Sequence, residues 1–166
     1  MDLLSFEGGK TITTTRLEND LLGEREVPAE HYYVVQTLRA LENFSITGIT
    51  ISHYPCLVNS LAYIKKAAAL AKAELGLLDP KTAEAITRAC DEVANGKLLD
   101  EFLVDVIQGG AGTPTNMNAN EVIANRALEF LGYEKGRYDV IHPLNHVNLS
   151  QSTNDVYPTA LRLTDL

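Results

Sequence analysis

Two donor-rich clusters hold most of the chemistry that this sequence can offer. The first is Gly109-Gly110-Ala111-Gly112-Thr113 followed by Asn116, Asn118 and Asn120; the second is Gln151-Ser152-Thr153-Asn154-Asp155. Glycine lets a backbone turn its N–H groups toward an anion, and hydroxyls or amides beside it add donors without a fixed charge. A carboxylate is a suitable guest. If Ser152-Thr153-Asn154 opens a helix, its free N–H groups and positive dipole end favour the same guest. The plainer reading is that the glycines punctuate a loop and the Ser, Thr and Asn residues cap helices, as they do in most proteins. Spacing alone favours the plainer reading, and neither cluster by itself is a specific signal.

Other candidates are weaker. His142 and His146 lie four apart, but Pro143 intervenes and no Cys or carboxylate joins them at ligand spacing, so no metal site is expected and hydrogen-bonded or solvated imidazoles are. Lys65, Lys66 and Lys72 are expected on a solvated helix face opposite an apolar stripe. No G-x-S-x-G is present for a serine hydrolase, and the GGAGT run lacks the spacing of a dinucleotide fingerprint. Cys56 and Cys90 read as buried free thiols rather than a disulfide.

The elements that must position these clusters follow from periodicity. Lys10 to Glu18 (KTITTTRLE) alternates as a short strand, Gly23 permits a turn, and Arg25-Glu26-Val27 returns before Pro28, which makes a small hairpin. From Ala29 the period becomes helical through Val34, Leu38 and Leu41 until Gly48. Leu57, Leu61, Ile64, Ala68, Ala71 and Leu75 then lay a stripe along a helix closed by Gly76. Asp79-Pro80 starts another, with Ala83, Ile86, Cys90 and Val93 inward and Asn95-Gly96 at its end. A further helix is expected from Asn118, with Glu121 completing a capping box and Gly132 terminating it. Thr153 to Leu166 reads as a helix just starting, ending on LRLTDL without a stop signal.

With 166 residues and 45% hydrophobic composition, one substantial core is expected and two full domains are not. A formal charge of -8 disfavours nucleic acid and anionic membrane surfaces as partners. No apolar run has the length of a membrane span, and MDLLSFEGGK has acids where a signal peptide needs cations, so the cytoplasm is the expected compartment.

Three collinear segments carry a resemblance. GGAGTPTNMNANEVIANRALEFLG is similar to the first signature region of the fumarase/aspartase superfamily, HVNLSQSTNDVYPTA to its second, and LLGEREVPAEHYYVVQTLRALENF to its amino-terminal block. The likeness runs from about Leu17 to Leu163. REVPA, TLRALENF and GGAGT resemble the aspartate ammonia-lyases, whereas fumarases tend to a Gly-Ser-Gly-Thr version of the third. Ile141-His142-Pro143 is closer to the fumarase pattern at a peripheral anion site, which keeps a fumarate hydratase as the alternative. Val34 and Leu103 stand where the family usually has Gly and Pro, and Leu144-Asn145 replaces its usual Asn-Asp. Val34 is expected to disturb helix packing and Leu103 to alter the approach to the GGAGT loop.

The resemblance implies a mainly α fold. It consists of the helical amino-terminal domain of the superfamily with a short β-hairpin near the start, truncated where the central helix bundle begins. Residues 1–10 would be a loose leader, 11–152 the amino-terminal lyase domain and 153–166 the start of the central domain. It further implies reversible deamination of L-aspartate to fumarate, with Thr113, Ser152 and Thr153 gripping the β-carboxylate and Asn154 placing the amino group. The family's base is a serine on a mobile Gly-Ser-Ser loop, and its α-carboxylate is held by a Met-Pro-x-Lys-x-Asn run. The sequence has no Ser-Ser pair. No catalytic residue is therefore expected in this chain, nor any activity by itself. No cofactor is implied; some aspartases are activated by divalent cations, and no ligand set for one is visible. The implied partners are the small-molecule ligands and further copies of the chain in a homotetramer. A non-catalytic binding or structural module on the same scaffold is the remaining alternative.

Overall fold

The computed structural model describes residues 14–165, so the leader at 1–10 and the first part of the predicted strand, Lys10–Thr13, lie outside the described residues. Strand β1 (Thr15–Asp20) pairs antiparallel with β2 (Gly23–Pro28), Thr15 facing Pro28 and Asp20 facing Gly23. Gly23 has φ +105°, a conformation that glycine adopts without steric cost. The hairpin is tied down by two guanidinium groups. Arg16 donates to the carbonyls of Pro28, His31 and Tyr33, and Arg39 grips both Asp20 carboxylate oxygens at 3.0 and 2.9 Å.

Helix α1 (Val35–Asn43) begins six residues later than the periodicity predicts, because the chain from Ala29 to Val34 forms a turn and an irregular stretch whose carbonyls are pinned by Arg16. Its N-terminus has no local side-chain cap. The carboxylate of Glu121, from a helix more than eighty residues on, takes that role: it accepts from Val34 N–H at 2.9 Å, Gln36 N–H at 3.0 Å, Thr37 N–H at 3.1 Å and the Thr37 hydroxyl. Val34 does not disturb the packing. It is buried at the N-cap in extended conformation, φ -129°, which any residue adopts.

Helices α2 (Pro55–Glu74) and α3 (Pro80–Ala94) form an antiparallel pair around Gly76 (φ +70°) and an Asp79 cap that accepts from Thr82 N–H at 3.0 Å. All four residues predicted to face inward on α3 are buried. On α2 the predicted stripe needs correction. Leu57 and Leu61 are buried as predicted, but further along the helix the buried line passes to Lys65, Ala69 and Lys72, one position from the predicted Ile64, Ala68 and Ala71, and Ala71 and Leu75 are exposed. Lys65 and Lys72 are accordingly buried and only Lys66 reaches the surface region, so the expected solvated lysine face is wrong for two of its three members. Cys56 is likewise exposed, while Cys90 is buried as expected; both are free thiols.

Helix α4 (Thr113–Phe130) starts five residues before the predicted Asn118, because Gly112 in left-handed conformation and Pro114 in the first turn already set the entry. Asn118 and Glu121 form no capping box. Asn118 reaches the neighbouring loop, accepting from Leu103 N–H at 3.1 Å and donating to Glu101 C=O at 2.9 Å. A proline at position 103 has no N–H to give, so this bond depends on the leucine found here. Helix α5 (Thr153–Thr164) closes the arrangement. It packs on α2 and α4, and α3 packs on both α2 and α4. Leu61, Ile86, Phe102, Ile123, Leu128 and Ile141 fill the interior, each contributing about 1.5–3 kcal/mol by burial. No helix among the described residues is long and apolar enough to cross a membrane.

Candidate functional site

The two donor-rich clusters meet. Thr113 opens α4 and Thr153 opens α5, and one turn into α4 the Asn116 side-chain amide donates to Thr153 Oγ1 at 3.1 Å. The loop preceding α4 also approaches α5 closely, since a Cβ added to Gly112 would stand 2.3 Å from the ring of Tyr157. Gly112 is thus required twice, for its φ of +80° and for this contact, which exceeds the punctuation expected of a loop glycine. Gly110 (φ +70°) folds the loop back so that a Cβ there would touch Thr113 Oγ1 at 3.2 Å.

Two helix N-termini are therefore brought side by side. Each concentrates N–H groups that lack an intrahelical acceptor and carries a partial positive charge, and an anion between them relieves the repulsion. Ser152 caps α5 by accepting from Asn154 N–H at 3.2 Å, which leaves its own hydroxyl proton free to donate. Thr113, Ser152 and Asn154 are exposed and Thr153 is half-buried, so all four predicted residues face an accessible region.

Beneath this surface lies a buried polar layer that sequence reasoning did not resolve. Asn116 also donates to Asn148 Oδ1 at 3.1 Å, and Lys65 Nζ donates to the same oxygen at 2.9 Å. Asn148 donates in turn to the Gln151 carbonyl at 3.1 Å, and Lys72 Nζ to the Leu149 carbonyl at 2.7 Å. Burial, with Lys72 nearby, pushes the Lys65 ammonium down to about 7. The Asn116 Oδ1 atom is buried without a hydrogen-bond partner among the described residues. A lysine recurring at 65 and 72 within the line 58-62-65-69-72 was the available signal, since a lysine in an apolar line must find polar partners inside.

A cavity of about 800 Å³ lies nearby, between the hairpin, α1, the start of α4 and a π-helical turn at Pro143–Val147. Arg39, Thr113, Met117, Tyr138 and His142 are among its lining residues; Ser152, Thr153 and Asn154 are not. Of the four predicted residues, only Thr113 lines that cavity. The imidazoles beside the cavity are occupied by backbone donors. His142 Nδ1 accepts from Leu144 N–H at 3.0 Å and His146 Nδ1 from His142 N–H at 2.8 Å, and burial holds both rings below the usual histidine range.

Comparisons with known proteins agree with this architecture. Residues 23–165 match the model of a family described as lyase. An aspartate ammonia-lyase from a Bacillus species is 58% identical over 154 residues, covering 93% of this chain and 32% of the relative. The structure of a "fumarate lyase:delta crystallin" from Brucella melitensis in native form superposes with a TM-score of 0.90 at 57% identity, over 91% of this chain and 35% of that one. A recombinant class II fumarase from Schistosoma mansoni superposes with a TM-score of 0.86 at 44% identity, over 91% of this chain and 32% of that one. The chain spans about a third of the length of the curated relatives it matches.

Proposed function

This chain belongs to the lyase family, and from that premise we propose that it supplies part of the active site of an aspartate ammonia-lyase. In this reading Thr113, Ser152 and Thr153 hold the β-carboxylate of L-aspartate, and Asn154 orients the amino group. The observation that carries it is the Asn116–Thr153 hydrogen bond, because it joins two neutral donor clusters at the N-termini of two helices. The similarity to an aspartate ammonia-lyase at 58% identity supports aspartate over other dicarboxylates.

The chemistry needs such donors. A base removes a proton from Cβ, and the electron pair left behind passes into the β-carboxylate as an aci-carboxylate with an extra negative charge. That pair then forms the C=C bond of fumarate as the C–N bond breaks and ammonia leaves. Neutral hydroxyls and helix N-termini bind the doubly charged intermediate better than the singly charged ground state, which is the condition for rate acceleration. Within the resemblance, the base and the α-carboxylate contacts belong to segments with no counterpart here. A cytoplasmic homo-oligomer completes the proposal.

The test joins this chain to the remaining two-thirds of the Bacillus relative in place of its own corresponding segment. Ultraviolet absorbance of fumarate and enzymatic ammonia detection follow the reaction. Aspartate-dependent release of both products is expected from the chimera and none from the chain alone. Hydration of fumarate without ammonia chemistry would assign a hydratase instead, and a folded but inert chimera would leave the scaffold without a catalytic role.

A further inference from the structure

We propose that Lys65 is a positioning residue for the Thr153 hydroxyl, acting through a relay of hydrogen bonds that runs Lys65 to Asn148, Asn148 to Asn116 and Asn116 to Thr153. It rests on the reading of Thr153 as a carboxylate donor. Hydrogen-bond polarity sets the direction of each link. A carbonyl oxygen only accepts, so the Asn148 amide that meets the Gln151 carbonyl must present Nδ2 to it, at 3.1 Å. This turns Asn148 Oδ1 toward Lys65, whose Nζ donates to it at 2.9 Å.

The same oxygen also meets Asn116, which must therefore present its own Nδ2, at 3.1 Å. The second hydrogen of that Nδ2 goes to Thr153 Oγ1 at 3.1 Å. A hydroxyl that accepts from an amide on one side keeps its single proton for another acceptor. The relay thus fixes Thr153 as a donor toward the surface where α4 and α5 meet. Without it, Thr153 can turn its proton inward and offer a lone pair to an incoming carboxylate, which repels it.

The burial of Lys65 supports this assignment. The residue has no exposed surface, and the polar partner that its nitrogen reaches among the described residues is the neutral Asn148, an arrangement that costs stability. Methionine would fill the same space without that cost. A lysine retained for packing alone has no need of its nitrogen.

A double-mutant cycle in the active chimera tests the relay. Lys65→Met and Thr153→Ala are measured singly and together by kcat/KM for aspartate, with thermal unfolding of each variant alongside. Thr153→Ala is expected to lose about 10²-fold and Lys65→Met about tenfold or more, while the double variant stays within about threefold of Thr153→Ala. Lys65→Met should unfold at the same temperature or higher, which a packing role does not allow together with lost rate. The same cycle with Lys65→Gln, which keeps a donor one atom shorter, gives a smaller single loss and the same non-additivity; it serves if the methionine variant does not fold. Multiplicative losses for the Lys65 variants beside a large Thr153→Ala effect overturn the relay alone. An unchanged rate for Thr153→Ala overturns the carboxylate-donor reading and the relay with it.

Discussion

Glu121→Leu is expected to lower the unfolding free energy of the chain by about 4 kcal/mol, read as a shift in the urea midpoint of the circular dichroism signal. The carboxylate is buried and accepts from three backbone N–H groups at the start of α1 and from the Thr37 hydroxyl. Leucine leaves those donors without a partner, at roughly 1–3 kcal/mol for each one that water does not reach. Since a domain of this size is stable by only about 5–15 kcal/mol, the loss is a large fraction of the total. Glu121→Gln should cost less, about 2 kcal/mol. It keeps one oxygen and removes the desolvated charge, whose burial pushes the carboxyl up to about 7 against the pull of the donors. A loss below about 1 kcal/mol for leucine would show that α1 finds other caps.

Removing one hydroxyl from the meeting point of α4 and α5 is expected to slow the chimera by about 10²-fold, close to 2.7 kcal/mol of barrier. Thr113→Val, Ser152→Ala and Thr153→Ala each delete a donor while leaving the backbone path. Because these donors serve a charge that develops only during reaction, the loss belongs mainly in kcat, with KM for aspartate changing less. Thr153→Ser, which keeps the hydroxyl that accepts from Asn116, should retain most of the rate. Losses below about threefold in all three deletions would remove the hydroxyls from the chemistry.

The sequence disclosed elements whose signals are local. Asp79-Pro80 and the Ala83-Ile86-Cys90-Val93 line predict α3 and its buried face, and the structure keeps them. What local reading missed depends on distant partners. Beyond Leu61 the buried face of α2 lies one residue, about 100° around the helix, from the predicted apolar stripe, because it takes in Lys65 and Lys72. Those lysines can be buried because Asn148 Oδ1 and the Leu149 carbonyl, some eighty positions on, accept their hydrogen bonds. Glu121, which local spacing predicts as a cap for its own helix, instead caps α1, again across more than eighty positions. The candidate site itself was legible as two clusters. Their meeting was not, since it depends on Gly112 lying against Tyr157 and on Asn116 reaching Thr153.

A dicarboxylate is expected to bind where α4 and α5 begin. A crystal structure of the chimera with succinate, an unreactive dicarboxylate, tests it most directly. One succinate carboxylate is expected within about 3 Å of the hydroxyl oxygens of Thr113, Ser152 and Thr153. Succinate seated instead in the cavity beside Arg39 and His142, with the Ser152 and Thr153 hydroxyls untouched, would contradict the account.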